Sequence, residues 1–165
     1  MLDHLWAGWR GEYVATADEL NGGDACVFCR ILASGLPDDQ TYVVWRGEGV
    51  FAILNKYPYT SGHLMVMPTR HVGELDQLTD DEHDELFRAA RTATAALKAA
   101  YSPEGFNLGA NLGKAGGAGV PGHLHVHVLP RWGGDTNFMT SIGETRVLPE
   151  MLDDAWRKLK GAWSG

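Results

Sequence analysis

The chain has 165 residues, a formal net charge of -7, 44% hydrophobic residues and 21% charged residues. That length supports one domain with a real core and no need of disulfides. The acidic balance argues against a surface built to neutralise a nucleic-acid backbone, and no apolar run approaches the ~20 residues of a membrane span. A soluble protein that binds neither nucleic acid nor membrane is expected.

Residues 1–25 read as an N-terminal arm rich in aromatic residues, and residues 26–165 as a single domain. In "MLDHLWAGWRGEYV" the residues Gly8, Arg10, Gly11 and Glu12 interrupt the apolar run before a signal-peptide core forms, which points to a cytoplasmic protein. The "CVFC" of Cys26 and Cys29 follows the arm. In a reducing compartment such a pair serves as a metal half-site or redox motif more often than as a structural disulfide.

"TYVVWRG" and "GVFAILNK" predict two strands joined by a tight turn at Gly47 to Gly49, because β-branched and aromatic residues cluster between turn residues. "SGHLMVMP" predicts a third strand, stopped by Pro68. The strongest helix signal is "LTDDEHDELFRAARTATAALKAAY": Thr79 and Glu82 form a capping box, and Leu86, Ala90, Ala93, Leu97 and Tyr101 line one face. A fourth strand, "GFNLGANLG", precedes the glycine-rich "GKAGGAGVPG". A last helix is expected from near Pro149 to Gly161, with Leu152, Trp156 and Leu159 facing inward. Hairpin-linked strands with one helix inserted and one appended predict an α+β fold on an antiparallel sheet of about five strands.

The fifth strand, "HLHVHVLPRW", sets histidines at 123, 125 and 127 between Leu124, Val126 and Val128. Side chains alternate across a strand, so three imidazoles share one face and three aliphatic chains the other. Imidazole changes protonation near neutral pH and serves as nucleophile, proton donor or metal ligand. The glycines just upstream can bring backbone N–H groups close to an anion. Nucleophile and anion cradle side by side suggest chemistry at phosphorus.

These residues resemble the signature of the histidine triad (HIT) superfamily, and "LNKYPYTSGHLMVMPTRH" resembles the ribose-binding strand and loop of its Fhit-like branch. Taken with "CVFC", "FNLGANLG", "GDTNFM" and "TRVLPE", the chain is most similar to the bacterial diadenosine tetraphosphate phosphorylases of that superfamily. The resemblance spans nearly the whole chain in order.

The resemblance implies that His125 is the nucleophile, attacking the α-phosphorus of diadenosine tetraphosphate to form a histidine-AMP intermediate that inorganic phosphate resolves to ADP, with ATP as the other product. It implies that His127 contacts the phosphate and that His63 buttresses the triad. Asn55 falls where the family binds the ribose, Asn111 faces the phosphate loop, and Gly117, Ala118 and Gly119 form that loop. Trp132 is implied as a contact to nucleotide. Relatives with a CxxC pair bind zinc, which here would use Cys26, Cys29, His71 and His123, while no redox cofactor is expected. A homodimer or homotetramer is implied as well. Two features depart from the family pattern: Ala118 stands where many members have glutamine, and Gly122 is an extra residue before the first histidine. The same residues would also serve a HIT-type nucleotide hydrolase or adenosine phosphoramidase, and a non-catalytic nucleotide-binding protein is the reading from outside enzymology.

Overall fold

The computed structural model describes residues 26–135 and 149–164. The expected N-terminal arm, and the segments "TNFM" and "TRVL", lie outside the described residues. Two short helices open the described chain, α1 (Val27–Ala33) and α2 (Asp38–Thr41). Strands β1 (Val43–Arg46), β2 (Val50–Leu54) and β3 (Leu64–Pro68) follow, and then the long helix α3 (Asp80–Tyr101). Strands β4 (Gly105–Gly109) and β5 (Val126–Arg131) and helix α4 (Leu152–Ala162) complete it. The five strands form one antiparallel sheet in the order β1-β2-β3-β5-β4. The expected α+β architecture is therefore the observed one.

The β1–β2 hairpin turns where the glycines predict, closed by the Gly47 N–H donating to the Val50 carbonyl at 2.8 Å. Helix α3 braces that turn. The Glu85 carboxylate accepts the N–H groups of Glu48 and Gly49, each at 2.8 Å, so a helix side chain satisfies two turn amides. The capping box of α3 is present as well, with Glu82 N–H donating to Thr79 Oγ1 and Glu82 Oε2 accepting from Thr79 N–H.

Alternation sorts the sheet into two faces. Val50, Ala52, Leu54, Leu64, Val66, Leu124 and Val128 are buried with Leu86, Ala90, Ala93 and Leu97 of α3 and with Ala155 and Leu159 of α4. Alanines at the contact let the helix lie close to the strands. Phe51, Ile53, Met65 and Met67 face the other way, and Phe28 of α1 packs on them. The histidines belong to this second face.

Four boundaries differ from expectation. Strand β4 stops at Gly109, so Asn111 lies in the loop beyond it, and α4 begins at Leu152 with Leu152 and Trp156 half-buried. Ladder pairing of β5 begins only at Val126, leaving His123 and His125 in an extended lead-in. The lead-in keeps the strand's alternation because Leu124 N–H donates to the Val72 carbonyl at 2.6 Å and its side chain is buried in the helix-covered core. Tyr42 closes α2 in a left-handed conformation at φ 60°, which starts β1 two residues later than predicted.

Candidate active site

The three triad histidines are buried, with 0%, 6% and 8% of their surface exposed at 123, 125 and 127. A solvated edge strand would leave them wet. Instead β5 is internal to the sheet, flanked by β3 and β4, and Met65 and Gly109 stand opposite His127 on either side. Burial lowers the pKa of all three, because a low-dielectric surrounding disfavours the imidazolium; His127 falls to about 4, with the neighbouring His125 adding to the effect. All three imidazoles are neutral near pH 7, and each then has one N–H and one lone pair.

Which nitrogen bears the proton follows from the partners. His125 Nδ1 lies 2.8 Å from the His123 carbonyl oxygen, an acceptor only, so Nδ1 carries the hydrogen and Nε2 the lone pair. His63 Nδ1 receives the Tyr59 N–H at 3.1 Å and faces Asn55 Nδ2 at 3.4 Å, so it is unprotonated. Its Nε2–H then donates to His127 Nδ1 at 2.8 Å, which leaves the hydrogen of His127 on Nε2. The site therefore offers a neutral imidazole lone pair at His125 beside an N–H donor at His127, their ring centroids 5.0 Å apart. That pairing suits attack on phosphorus by one nitrogen while the other hydrogen-bonds a phosphoryl oxygen.

Asn55 is buried at the end of β2, and its Oδ1 accepts the Tyr57 N–H at 2.9 Å. The amide thus organises residues 55–59 around His63, with one oxygen lone pair and one N–H still to spend. Asn111 lies in the loop two residues beyond Gly109, which is the last residue of β4 and pairs with His127. The glycine loop is folded on itself: Gly117 N–H donates to the Lys114 carbonyl and Ala118 N–H to the Gly113 carbonyl, so these two amides are engaged within the loop. The extra residue Gly122 packs beside His71, where a β-carbon would meet Nε2 at 3.4 Å. Trp132 is half-buried edge-to-face on Tyr101, a ring of α3, and its backbone N–H donates to Asp135.

A second cluster adjoins the first. Cys26, Cys29, His71 and His123 converge from α1, the loop after β3 and the lead-in to β5, with one ligand atom from each all within 4.8 Å of one another. Sulfur-to-nitrogen separations are 3.4 Å for Cys26–His123, 3.6 Å for Cys29–His123 and 3.4 Å for Cys29–His71. The edge of a tetrahedron with metal bonds of about 2.0–2.3 Å is about 3.5 Å, so the donor set fits a tetrahedral cation. The Nε2–H of His123 donates to the Pro68 carbonyl at 2.8 Å, which turns its Nδ1 lone pair toward the thiols. Burial and the adjacent Cys26 push the Cys29 thiol up, so a cation is what would hold that sulfur as a thiolate.

Residues outside the motif also shape the site. Phe28, inside the CxxC, packs its ring 5.4 Å from His123 and 5.6 Å from His125, and Tyr59 lies 4.6 Å from His63. The carbonyls of His123 and Pro68 set two of the tautomers, and backbone groups have no residue-type signature to read.

Residues 37–134 match the model of the HIT domain. The chain belongs to the HIT family. It is 44% identical over 168 residues to the AP-4-A phosphorylase of Mycobacterium tuberculosis, in two strains, covering 99% of this chain and 85% of that protein. Among solved structures, a hypothetical histidine triad nucleotide-binding protein from Sulfolobus tokodaii superposes with a TM-score of 0.68 at 29% identity, over 83% of this chain and 91% of that one. A Zn-bound histidine triad family protein from Mycobacterium smegmatis also gives 0.68, at 27% identity, over 84% of this chain and 93% of that one. The motif-based resemblance to this family, and to its phosphorylase branch, thus holds over nearly the full chain.

Proposed function

We propose that this HIT-family protein, an enzyme of the nucleotide-processing type, phosphorolyses diadenosine tetraphosphate to ADP and ATP. The observation that carries the reading is the hydrogen bond from His125 Nδ1 to the His123 carbonyl, which leaves the Nε2 lone pair as nucleophile. In the first displacement Nε2 bonds to the α-phosphorus, the bond from that phosphorus to the bridging oxygen breaks, and ATP leaves. Inorganic phosphate then attacks the histidine-AMP, an oxygen–phosphorus bond replaces the nitrogen–phosphorus bond, and ADP departs.

Two further observations favour this substrate class. The His127 Nε2–H belongs to a neutral imidazole, suited to hydrogen-bonding a phosphoryl oxygen but not to protonating a basic leaving group. A terminal phosphate ionises near pH 6, so ATP departs without taking a proton from the enzyme, whereas the amine of a phosphoramidate would need one. The name of the 44% identical relative points the same way.

Asn55 is assigned to the ribose through its remaining polar groups, Asn111 and the loop of Gly117, Ala118 and Gly119 to the phosphates, and Trp132 to nucleotide. With the amides of 117 and 118 engaged, the loop would act by shape and through its other groups, and Ala118, smaller than glutamine, leaves room for the acceptor phosphate. The metal is assigned as zinc on Cys26, Cys29, His71 and His123. Four protein ligands would make it a closed structural centre that ties α1 to the chain just before the nucleophile. The two cysteines are free thiols, which suits a cytoplasmic setting. Strand β4 forms one edge of the sheet and exposes Leu108, which supports pairing of copies into a homodimer or homotetramer.

The test is incubation with diadenosine tetraphosphate, with and without inorganic phosphate, using His125→Ala as control. ADP plus ATP only when phosphate is present is the expected result. AMP plus ATP irrespective of phosphate would replace phosphorolysis with hydrolysis, and activity surviving in His125→Ala would overturn the nucleophile.

A further inference from the structure

We propose that Tyr59 is a positioning residue for the reacting histidines, holding the His63–His127 pair in the one proton arrangement that aims an N–H of His127 at the substrate phosphate. The inference rests on the proposed reaction for its consequence in rate, but the proton arrangement itself is a property of the free protein.

Tyr59 acts through both halves of the residue. Its backbone N–H donates to His63 Nδ1 at 3.1 Å, which favours the His63 proton on Nε2 as long as the ring keeps water from both nitrogens. Its ring lies 4.6 Å from the His63 ring at 47° and 5.8 Å from the His127 ring at 31°, so one ring presents a tilted face to both imidazoles. Without that face water would compete for the His63 and His127 nitrogens, and the alternative in which His127 carries its hydrogen on Nδ1 would gain population. Among the described residues no charged side chain hydrogen-bonds His127. The titratable groups packed against it are His63 and His125, with Tyr59 beside them and Met65 and Gly109 across the strands. The arrangement is thus set by neutral contacts, of which Tyr59 supplies the amide and the cover.

The loop that carries Tyr59 is built to hold a position. Thr60 Oγ1 donates to the Pro130 carbonyl at 3.2 Å, which ties the loop to the end of the histidine strand, and Asn55 N–H donates to the His63 carbonyl at 2.9 Å. Gly62 sits at φ +74°, where a β-carbon would come within 2.9 Å of Leu97 and Tyr101 on α3. The loop is packed between β5 and α3, and the ring of Tyr59 is held with it.

The decisive comparison is Tyr59→Phe, Tyr59→Leu and Tyr59→Ala in the full chain, read by histidine side-chain 15N spectra of the metal-loaded protein and by steady-state kinetics on diadenosine tetraphosphate with phosphate. Tyr59→Phe keeps the flat face and should keep both the wild-type tautomers and kcat. In Tyr59→Ala the His63 and His127 signals should report mixed tautomers, with kcat down by about tenfold to a hundredfold and KM changed far less. Tyr59→Leu, which preserves bulk and guards against a folding defect, should fall between. Wild-type tautomers and kcat in both Tyr59→Ala and Tyr59→Leu would overturn the proposal. The spectra need no substrate, so they decide the proposal even if the reaction proves different; the reaction itself is judged by His125→Ala.

Discussion

His63 and His127 meet nitrogen to nitrogen at 2.8 Å, across 64 residues of chain, inside a sheet face from which water is shut out. His63 has no exposed surface, and its Nε2–H is handed to His127 while its Nδ1 accepts the Tyr59 amide. Replacing it with alanine removes the donor and leaves His127 free to take its hydrogen on Nδ1. The expected outcome is a loss in kcat of about a hundredfold, with a stability loss of about 2–4 kcal/mol from the cavity and the broken network. Urea titration and single-turnover kinetics measure the two losses separately. A variant that lost stability but kept kcat would reduce His63 to packing.

Burial of the triad makes stability depend on pH with a definite sign. The pKa of His127 is 6.5 when solvated and about 4 when folded, so between these values the unfolded chain binds a proton that the folded chain refuses. Stability is therefore complete above pH 6.5 and falls as the pH drops toward 4. Each tenfold difference in proton affinity between the unfolded and folded chain is worth about 1.4 kcal/mol, so His127 alone contributes a few kcal/mol over this window. His123 and His125, lowered by the same burial, act in the same direction. Urea midpoints at pH 7.5 and 4.5, both with chelator so that metal release plays no part, should fall on acidification, and the fall should shrink in His127→Gln. An equal fall in the variant would assign the effect to other groups.

The alternation at 123–128 was legible because a two-residue period leaves little choice of face, and the hairpin and α3 because glycines and a capping box mark their ends. Helix α1 was not. It has no acidic residue in its first turn and no side-chain cap, and it is held in place by Phe28 packing on the sheet and by Cys26 and Cys29 meeting His71 and His123. The same lack of local signal hid Tyr59, whose part in the site comes from a backbone amide and a packed ring. The glycine loop shows the converse. Its composition suggested free amides, but two of them close turns within the loop, an outcome set by loop conformation that glycine content does not encode.

The hairpin brace offers a change that should affect stability alone. Glu85 accepts two turn amides from α3, on the helix-covered side of the sheet, opposite the face that carries the triad histidines. Glu85→Ala strands the N–H groups of Glu48 and Gly49 and should cost about 1–3 kcal/mol, the range for charge-assisted hydrogen bonds lost at a partly exposed site. The urea midpoint should fall while kcat and KM stay at wild-type values. A loss of kcat at full folding would mean that the hairpin governs the site in a way the contacts do not account for.

The four-residue cluster predicts a metal whose loss travels to the nucleophile. His123 joins the two sites: its imidazole faces Cys26 and Cys29, and its carbonyl accepts the His125 N–H. The purified protein should hold one zinc per chain by elemental analysis, and Cys26→Ser or His71→Ala should reduce that content and lower the melting temperature, because metal bound only to the folded chain adds directly to its stability. His71 is exposed and lies outside the triad, so His71→Ala tests the metal without removing a triad histidine. If zinc only staples α1 to the sheet, this variant melts earlier yet keeps its kcat at low temperature. If it also fixes the His123 carbonyl, kcat falls with metal content and recovers when zinc is restored to a weakened site. A wild-type protein that purifies without metal, and melts at the same temperature with zinc or with chelator, would remove the metal from the assignment and leave four side chains that meet without an ion.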